Sequence, residues 1–170
     1  SIPSNASMVS ASLNMYVTAT SSINGLTDND GDDYINVIQT SQPNSTTFTT
    51  ADYDLVGAVS NPTTGATAID LMADFIVPAY NTFTLNATGL SWIAKSGVTS
   101  NCGTTTGVTC LGLREGHDII NSAYTGTGNN SIIVSTSEEA GTSQDPYLTV
   151  TYTIVAPNVI SINGGTIKVD

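Results

Sequence analysis

The sequence predicts an all-β fold, an antiparallel β-sandwich of the jelly-roll kind, from three observations. Short segments alternate apolar residues with Ser, Thr, Asn or Tyr, as half-buried strands do. Clusters of Gly, Pro, Asn and Asp separate these segments, and many short strands joined by turns are typical of sandwiches and jelly rolls. A chain of 170 residues is long enough to bury the core of one such domain.

The two ends of this domain carry the clearest strand patterns. Near the N-terminus, apolar residues at every second position are predicted to face inward: Val9, Ala11, Leu13, Met15 and Val17. Near the C-terminus, a turn with Pro146 precedes a second alternating run, whose inward residues are Leu148, Val150, Tyr152 and Ile154. This second run is predicted to be the strand that closes the domain.

Shorter elements are predicted between these two strands. The strands are expected at 34–39, 80–86, 109–114 and 131–135, and the pattern is weak over 46–76. A single helical turn at 90–95 is expected to pack Trp92 on the sandwich.

A boundary is predicted near Pro157, because proline interrupts a strand. The chain therefore divides into a sandwich domain over 1–155 and a tail over 156–170. The tail has the turn sequence Asn163-Gly164-Gly165 and is predicted to form a hairpin or an extended donor strand. Its strand-forming apolar residues are Val159, Ile160, Ile162, Ile167 and Val169.

The charge balance excludes some classes of partner. Only 10% of the residues are charged, and 3 Lys and Arg face 14 Asp and Glu, for a net charge of −11. Binding to nucleic acid or to an anionic membrane surface requires a basic footprint that this chain lacks. No direct membrane insertion is expected, and a surface rich in Thr and Asn is typical of proteins outside the cell.

The two cysteines, Cys102 and Cys110, are predicted to form a disulfide that closes a hairpin-like loop. A metal site would need further ligands close by, and the chain has a single histidine, His117. A disulfide implies an oxidising compartment. The alternative is a pair of buried thiols in a cytosolic domain.

An acidic loop is the best candidate for a metal site. Asp28, Asp30, Asp32 and Asp33 flank Gly31, and carboxylates at this density suit Ca²⁺, which takes six to eight oxygen ligands. The loop lacks the distal Glu of an EF-hand, so a solvated acidic loop is the competing interpretation. Asp52 and Asp54 would complete the site if the fold brought them close.

No catalytic function is predicted. The segment Glu115-Gly116-His117-Asp118 gathers two acids and an imidazole, but one His without a partner motif is more typical of a hydrogen-bonded loop residue. The chain has no nucleophile elbow and no phosphate-binding glycine loop. Apart from Ca²⁺, no cofactor is expected.

Two kinds of glycan contact remain open. Tyr16 and Tyr147 are predicted on outward faces and are candidates for a sugar-binding platform. Four Asn residues match the N-glycosylation acceptor pattern, although chance matches are expected in a chain this rich in Asn, Ser and Thr: Asn5, Asn44, Asn86 and Asn129.

Several stretches resemble DNRLRE-type secreted β-sandwich modules of bacterial, archaeal and phage surface proteins. These are the Ile2-Pro3 loop with its following strand, Leu111-Gly112-Leu113-Arg114-Glu115, residues 135–141 and Asp145-Pro146-Tyr147-Leu148. The resemblance implies a non-catalytic part of a secreted or surface protein, related to carbohydrate-binding-like modules. Such modules normally have a strand before the Ile-Pro loop, and we expect that strand to be missing here.

These features predict an extracellular structural subunit of a filament, a surface layer or a virion appendage. Copies would assemble through strand edges, or the 156–170 tail of one subunit would fill the gap of the next. Fragmentation of a larger polypeptide explains the missing strand equally well. The alternative function is a carbohydrate-binding or adhesive module of a larger secreted protein.

Overall fold

Within the described residues the fold consists of two antiparallel sheets, which confirms the predicted all-β sandwich. The computed structural model describes residues 1–20, 30–43, 47, 49–71, 73–99, 102–103, 106–125, 131–138 and 140–154. The elements are β1 (Ala6–Thr20), β2 (Tyr34–Gln39), a 3-10 helix (Thr50–Leu55), β3 (Ile69–Asp70), β4 (Ala79–Thr84), α1 (Ala87–Ser91), β5 (Leu111–Glu115), α2 (Gly116–Ile120), β6 (Ile132–Val134) and β7 (Tyr147–Ile154).

The first sheet is built around β1, which is 15 residues long. Strand β4 pairs with residues 12–17 of β1, and β7 pairs with residues 6–14. Because both pair with residues 12–14, β4 and β7 lie on opposite sides of β1. Strand β6 pairs with the end of β1, on the β7 side, since β4 also pairs with Val17. Among the described strands, none pairs with the outer sides of β4, β6 and β7.

The predicted inward face of β1 is correct except at Val9. A β-bulge between Met8 and Ser10 shifts the register against β7, so Val9 is the extra residue and is 55% exposed. Such a bulge moves the alternation by one position, which a strict two-residue period in the sequence does not reveal. Ala11 and Val17 are buried as predicted.

The second sheet has the order β3-β2-β5, and the core lies between it and the first sheet. Strand β2 is covered on both faces, because Ile35, Asn36, Val37 and Ile38 are all buried. The core cluster draws on both sheets and on the segments beside them: Ala11, Ile35, Val37, Ala66, Leu71, Phe83, Leu85 and Ile93.

A helical turn was predicted over 90–95; the helix in this region, α1, begins three residues earlier and ends at Ser91. It packs tightly against the chain near Gly65. Asn86 caps the helix by accepting a hydrogen bond from the Gly89 N–H at 3.0 Å. A Cβ at Gly65 would lie 2.1 Å from the Trp92 ring, so a side chain larger than hydrogen does not fit there. Trp92 packs against the core, as the sequence predicted.

Within the described residues, no helix is long and apolar enough to cross a membrane. The helices α1 and α2 have five residues each. The tail over 156–170, with the five residues predicted to mediate assembly, lies outside the described residues.

Candidate functional site

The β7 edge is the first candidate site, and we use this name for residues 147–154 on the side away from β1. The eight residues of β7 pair with β1 along one side. Among the described strands, none pairs with the other side. The backbone groups on that side point away from the sheet, as they do on any unpaired edge.

The apolar row of β7 is only partly covered by the core. Leu148 and Val150 are half-buried and pack against the core cluster. Further along the same face, Tyr152 is 37% exposed and Ile154 is 55% exposed. The core therefore does not cover these two β7 side chains, although Ala6, which pairs with Ile154, is buried and Met8, which pairs with Tyr152, is half-buried.

The outer face of the first sheet carries a cluster of three tyrosines. The rings of Tyr16 and Tyr80 meet edge to face at 5.2 Å between centroids, and those of Tyr80 and Tyr147 at 5.1 Å. The Tyr80 hydroxyl donates to the carbonyls of Ser143 and Asp145, at 3.1 and 2.9 Å. Burial raises the pKa of Tyr80, and the neighbouring Tyr147, Asp145 and Tyr16 raise it further.

A histidine–carboxylate cluster, defined here as Asp30, Asp33, Glu115 and His117, is the third candidate. One ligand atom each from Asp33, Glu115 and His117 lies within 4.8 Å of the other two. Asp33 is 2% exposed and His117 is 3% exposed. Asp33 immediately precedes β2, Glu115 ends β5 and His117 lies in α2.

Hydrogen bonds and one ring contact hold the side chains of this cluster in position. The Asp32 N–H donates to Asp30 Oδ1 at 3.0 Å, so Asp30 Oδ2 is left facing His117 Nε2 at 3.5 Å. Glu115 caps α2 because its Oε2 accepts from the Asp118 N–H, and its Oε1 lies 2.9 Å from His117 Nδ1. The His117 ring meets the Tyr124 ring edge to face at 5.4 Å between centroids.

The charges around His117 alter its acid–base behaviour. Burial lowers the pKa of His117, but the hydrogen bond to Glu115 and the charges of Glu115, Asp30 and Asp33 outweigh burial and raise it above 6.5. Close by, burial and then the charges of Asp32 and Glu115 raise the pKa of Tyr34.

The predicted calcium set of four aspartates is divided by the structure. Asp28 lies outside the described residues. Asp30 is exposed, whereas Asp33 is buried beside His117, a residue that the calcium prediction did not include. Asp52 belongs to the cap of the 3-10 helix, where its Oδ2 accepts from the Thr49 N–H at 2.6 Å.

Sequence reasoning missed this cluster because its members meet through strand pairing. Ile35 pairs with Glu115 in the antiparallel β2–β5 ladder, so two further steps bring Asp33 opposite His117. The sequence does contain two acidic segments, one immediately before strand β2 and one at the end of strand β5. Their register was not predictable from the sequence.

A cleft of about 860 Å³ was also not predicted. It lies between the 3-10 helix and β5 and is lined by Asp52, Tyr53, Leu111 and Gly112, among others. Tyr53 is 80% exposed there. The cleft brings together segments that are far apart in the sequence, and no local motif marks it.

The predicted disulfide between Cys102 and Cys110 is confirmed, with Cα atoms 5.9 Å apart. Both cysteines are buried. The loop pairs across Thr99 and Thr106, and the Gly107 N–H donates to the Val98 carbonyl at 3.0 Å.

Two of the four predicted glycosylation sites are described. Asn5 is exposed. Asn86 is exposed as well, but its Nδ2 atom donates to the Thr64 carbonyl at 3.1 Å. Asn44 and Asn129 lie outside the described residues, and glycosylation stays a prediction at all four positions.

Comparisons with known proteins supply no relative: no family model, no curated protein and no solved structure matches this chain. The resemblance to DNRLRE-type modules therefore stays a prediction.

Proposed function

We propose that this protein is a non-catalytic, extracellular structural subunit that assembles with copies of itself by strand addition at the β7 edge. The observation that carries this proposal is a strand edge that pairs with no other described strand and whose inward apolar row remains partly exposed. A strand added there would pair with the free backbone groups and cover Tyr152 and Ile154.

The composition of β7 supports this role. Sheet edges that must remain unpaired are commonly protected against strand addition by Lys, by Pro or by a very short edge strand. Strand β7 has eight residues, and none of them is charged or a proline. The edge is therefore suited to receiving another strand.

The 156–170 segment of a second copy is the proposed occupant. It contains apolar residues at alternate positions, namely Ile160 with Ile162 and Ile167 with Val169. Such a segment presents one apolar face to the core and one polar face to solvent, as an edge strand requires. Its attachment to β7 in the same chain makes self-pairing the competing arrangement.

Electron microscopy and light scattering of the full chain, with and without residues 156–170, test the proposal. We expect polymers from the full chain and monomers from the shortened one. A monomeric full chain, in which the tail pairs with its own β7, would contradict the proposal, and so would polymers that persist without the tail.

A matched pair of substitutions tests the edge itself. Tyr152→Lys puts a charge into the inward row and should abolish polymers, whereas Thr151→Lys puts the same charge on the outer face and should preserve them. Equal loss of polymers in both variants would show that charge alone, not the apolar row, controls assembly.

An extracellular location is part of the proposal. The disulfide supports it, because such bonds persist in oxidising compartments. Reduction should therefore destabilise the hairpin loop over 102–110. Thermal unfolding with and without a reductant measures that loss, and an unchanged midpoint would remove this support.

The tyrosine cluster favours a second candidate function, the binding of neutral glycans. Tyrosine rings suit sugar faces because each has an apolar body and a polar tip. Tyr147 is 49% exposed at one end of the cluster. In glycan-array screening, the monomer should then bind glycans, and Tyr147→Ala should abolish this binding. Binding that survives the substitution would exclude the tyrosine cluster as the glycan site.

A further inference from the structure

The histidine–carboxylate cluster combines buried donor atoms of two chemical kinds. Three carboxylates surround one imidazole, and the two central residues, Asp33 and His117, are almost completely buried. Concentrating negative charge in a poorly solvated place is unfavourable unless a positive charge compensates it. Either a protonated His117 or a bound cation supplies that charge.

The hydrogen bonds of Glu115 favour one orientation of the imidazole. With Oε2 on the Asp118 N–H and Oε1 on His117 Nδ1, both carboxylate oxygens of Glu115 are engaged. A carboxylate that accepts from one ring nitrogen of a histidine is the usual outer support of a metal-binding imidazole, since it fixes the ring and turns the other nitrogen toward the metal.

The distance on the other side of the ring fits a bridging ion. His117 Nε2 and Asp30 Oδ2 are 3.5 Å apart, whereas a direct charge-assisted hydrogen bond is roughly 2.7–2.9 Å long. Zinc binds nitrogen and oxygen at roughly 2.0–2.2 Å, so two ligands of a tetrahedral zinc ion lie roughly 3.4 Å apart. The separation thus matches one edge of such a tetrahedron.

We propose that Asp30, Asp33 and His117 bind a divalent transition-metal ion such as Zn²⁺, with Glu115 positioning the imidazole. An imidazole ligand suits zinc better than calcium, which prefers an all-oxygen set. The ion would join the acidic segment over 30–33 to α2 and so tie the ends of β2 and β5 together. This role is separate from strand addition at the β7 edge.

Calorimetric titration of the full chain, stripped of metal by a chelator and then dialysed, tests the site. We expect one Zn²⁺ per chain and a rise in the thermal midpoint on zinc addition, because an ion that binds only the folded state stabilises it. Ca²⁺ should bind more weakly than Zn²⁺. Binding of Ca²⁺ without Zn²⁺, or of neither ion, would overturn the proposal.

Three variants locate the site. Asp30→Asn and His117→Gln should each weaken zinc binding by at least roughly tenfold, a loss typical even for supporting residues of metal sites. Asp74→Asn, an exposed acid outside the cluster, is the matched control and should bind as the unmodified chain does. Unchanged affinity in Asp30→Asn would place the ion elsewhere and overturn the assignment.

A spectroscopic measurement covers the case in which His117→Gln does not fold. Co²⁺ replaces zinc and has visible absorption that is stronger in tetrahedral than in octahedral sites. We expect a tetrahedral spectrum from the unmodified chain and its loss in Asp30→Asn. An octahedral spectrum that is the same in both proteins would contradict the site.

Discussion

Two regions of the sandwich differ in how far the chain itself buries their side chains and pairs their backbone groups. At the end of the second sheet, the segment before β2, the end of β5 and α2 form what we call the closed corner, where Asp33, Gly116 and His117 are all buried. On the first sheet, the β7 edge has no described pairing partner and leaves apolar side chains exposed. One chain thus completes one region internally, whereas on our proposal a second copy would complete the other.

The contrast teaches that alternation in the sequence specifies a strand but not its neighbours. Strands β2 and β7 both have strong strand patterns, yet Val37 on β2 is fully buried and Ile154 on β7 is 55% exposed. The difference arises from what lies beside each strand. On our proposal, assembly takes place at β7, the strand whose outer edge has no described neighbour.

The largest effect on stability should come from Gly116→Ala in the closed corner. A Cβ at this position would lie 2.0 Å from the Asp32 carbonyl oxygen, so the backbone would have to move. We expect the free energy of unfolding to fall by about 3 kcal/mol, which is in the upper part of the range for overpacked sites. Chemical denaturation measures this loss.

Gly112→Ala is the comparison for that variant. Its Cβ would meet side-chain methyl groups of Thr40 and Val56, at 2.7 and 2.9 Å, and side chains adjust more easily than backbone. The loss should be smaller than for Gly116→Ala. Equal losses would mean that the closed corner is no tighter than the rest of β5.

Arg114→Lys should have the next largest effect. The Arg114 guanidinium donates to the carbonyls of Ala58 and Val59, at 2.6 and 3.2 Å, and pairs with Asp118. Lysine keeps the charge but cannot reach these acceptors with a planar fork. We expect a loss of about 2 kcal/mol in chemical denaturation. A neutral result would show that the loop over 56–59 does not depend on this residue.

The closed corner should also give a pH dependence in metal-free protein. The folded-state pKa of His117 lies above its ordinary value of 6.5, so protonated His117 stabilises the fold. That stabilisation is present in full below pH 6.5 and is lost as the pH rises through the raised pKa. Denaturation in chelator at several pH values should show this trend, and His117→Asn should remove it.

How much of this the sequence could predict differs between the two regions. The strands β1, β2, β4 and β7 were predictable because their alternation is local, and the disulfide was predictable from cysteine count and spacing. The exposure of Val9 was not, since it depends on a bulge against β7. The meeting of Asp33 with His117 required the β2–β5 register, which is set by tertiary pairing.

The smallest effect on stability should come from the β7 edge. Tyr152→Lys should change the free energy of unfolding of the isolated subunit by less than about 0.5 kcal/mol, as is usual for exposed positions. The same change should abolish assembly. A large loss of stability in the monomer would mean that Tyr152 belongs to the core and that the β7 edge is already complete.

Amide hydrogen exchange of β7 tests the central claim most directly, because each amide reports whether its hydrogen bond is made. The measurement compares the full chain at high and low concentration. We predict that the β7 amides that do not pair with β1 are protected at high concentration and exchange rapidly on dilution. Rapid exchange at both concentrations, or protection that does not depend on concentration, would contradict strand addition between subunits.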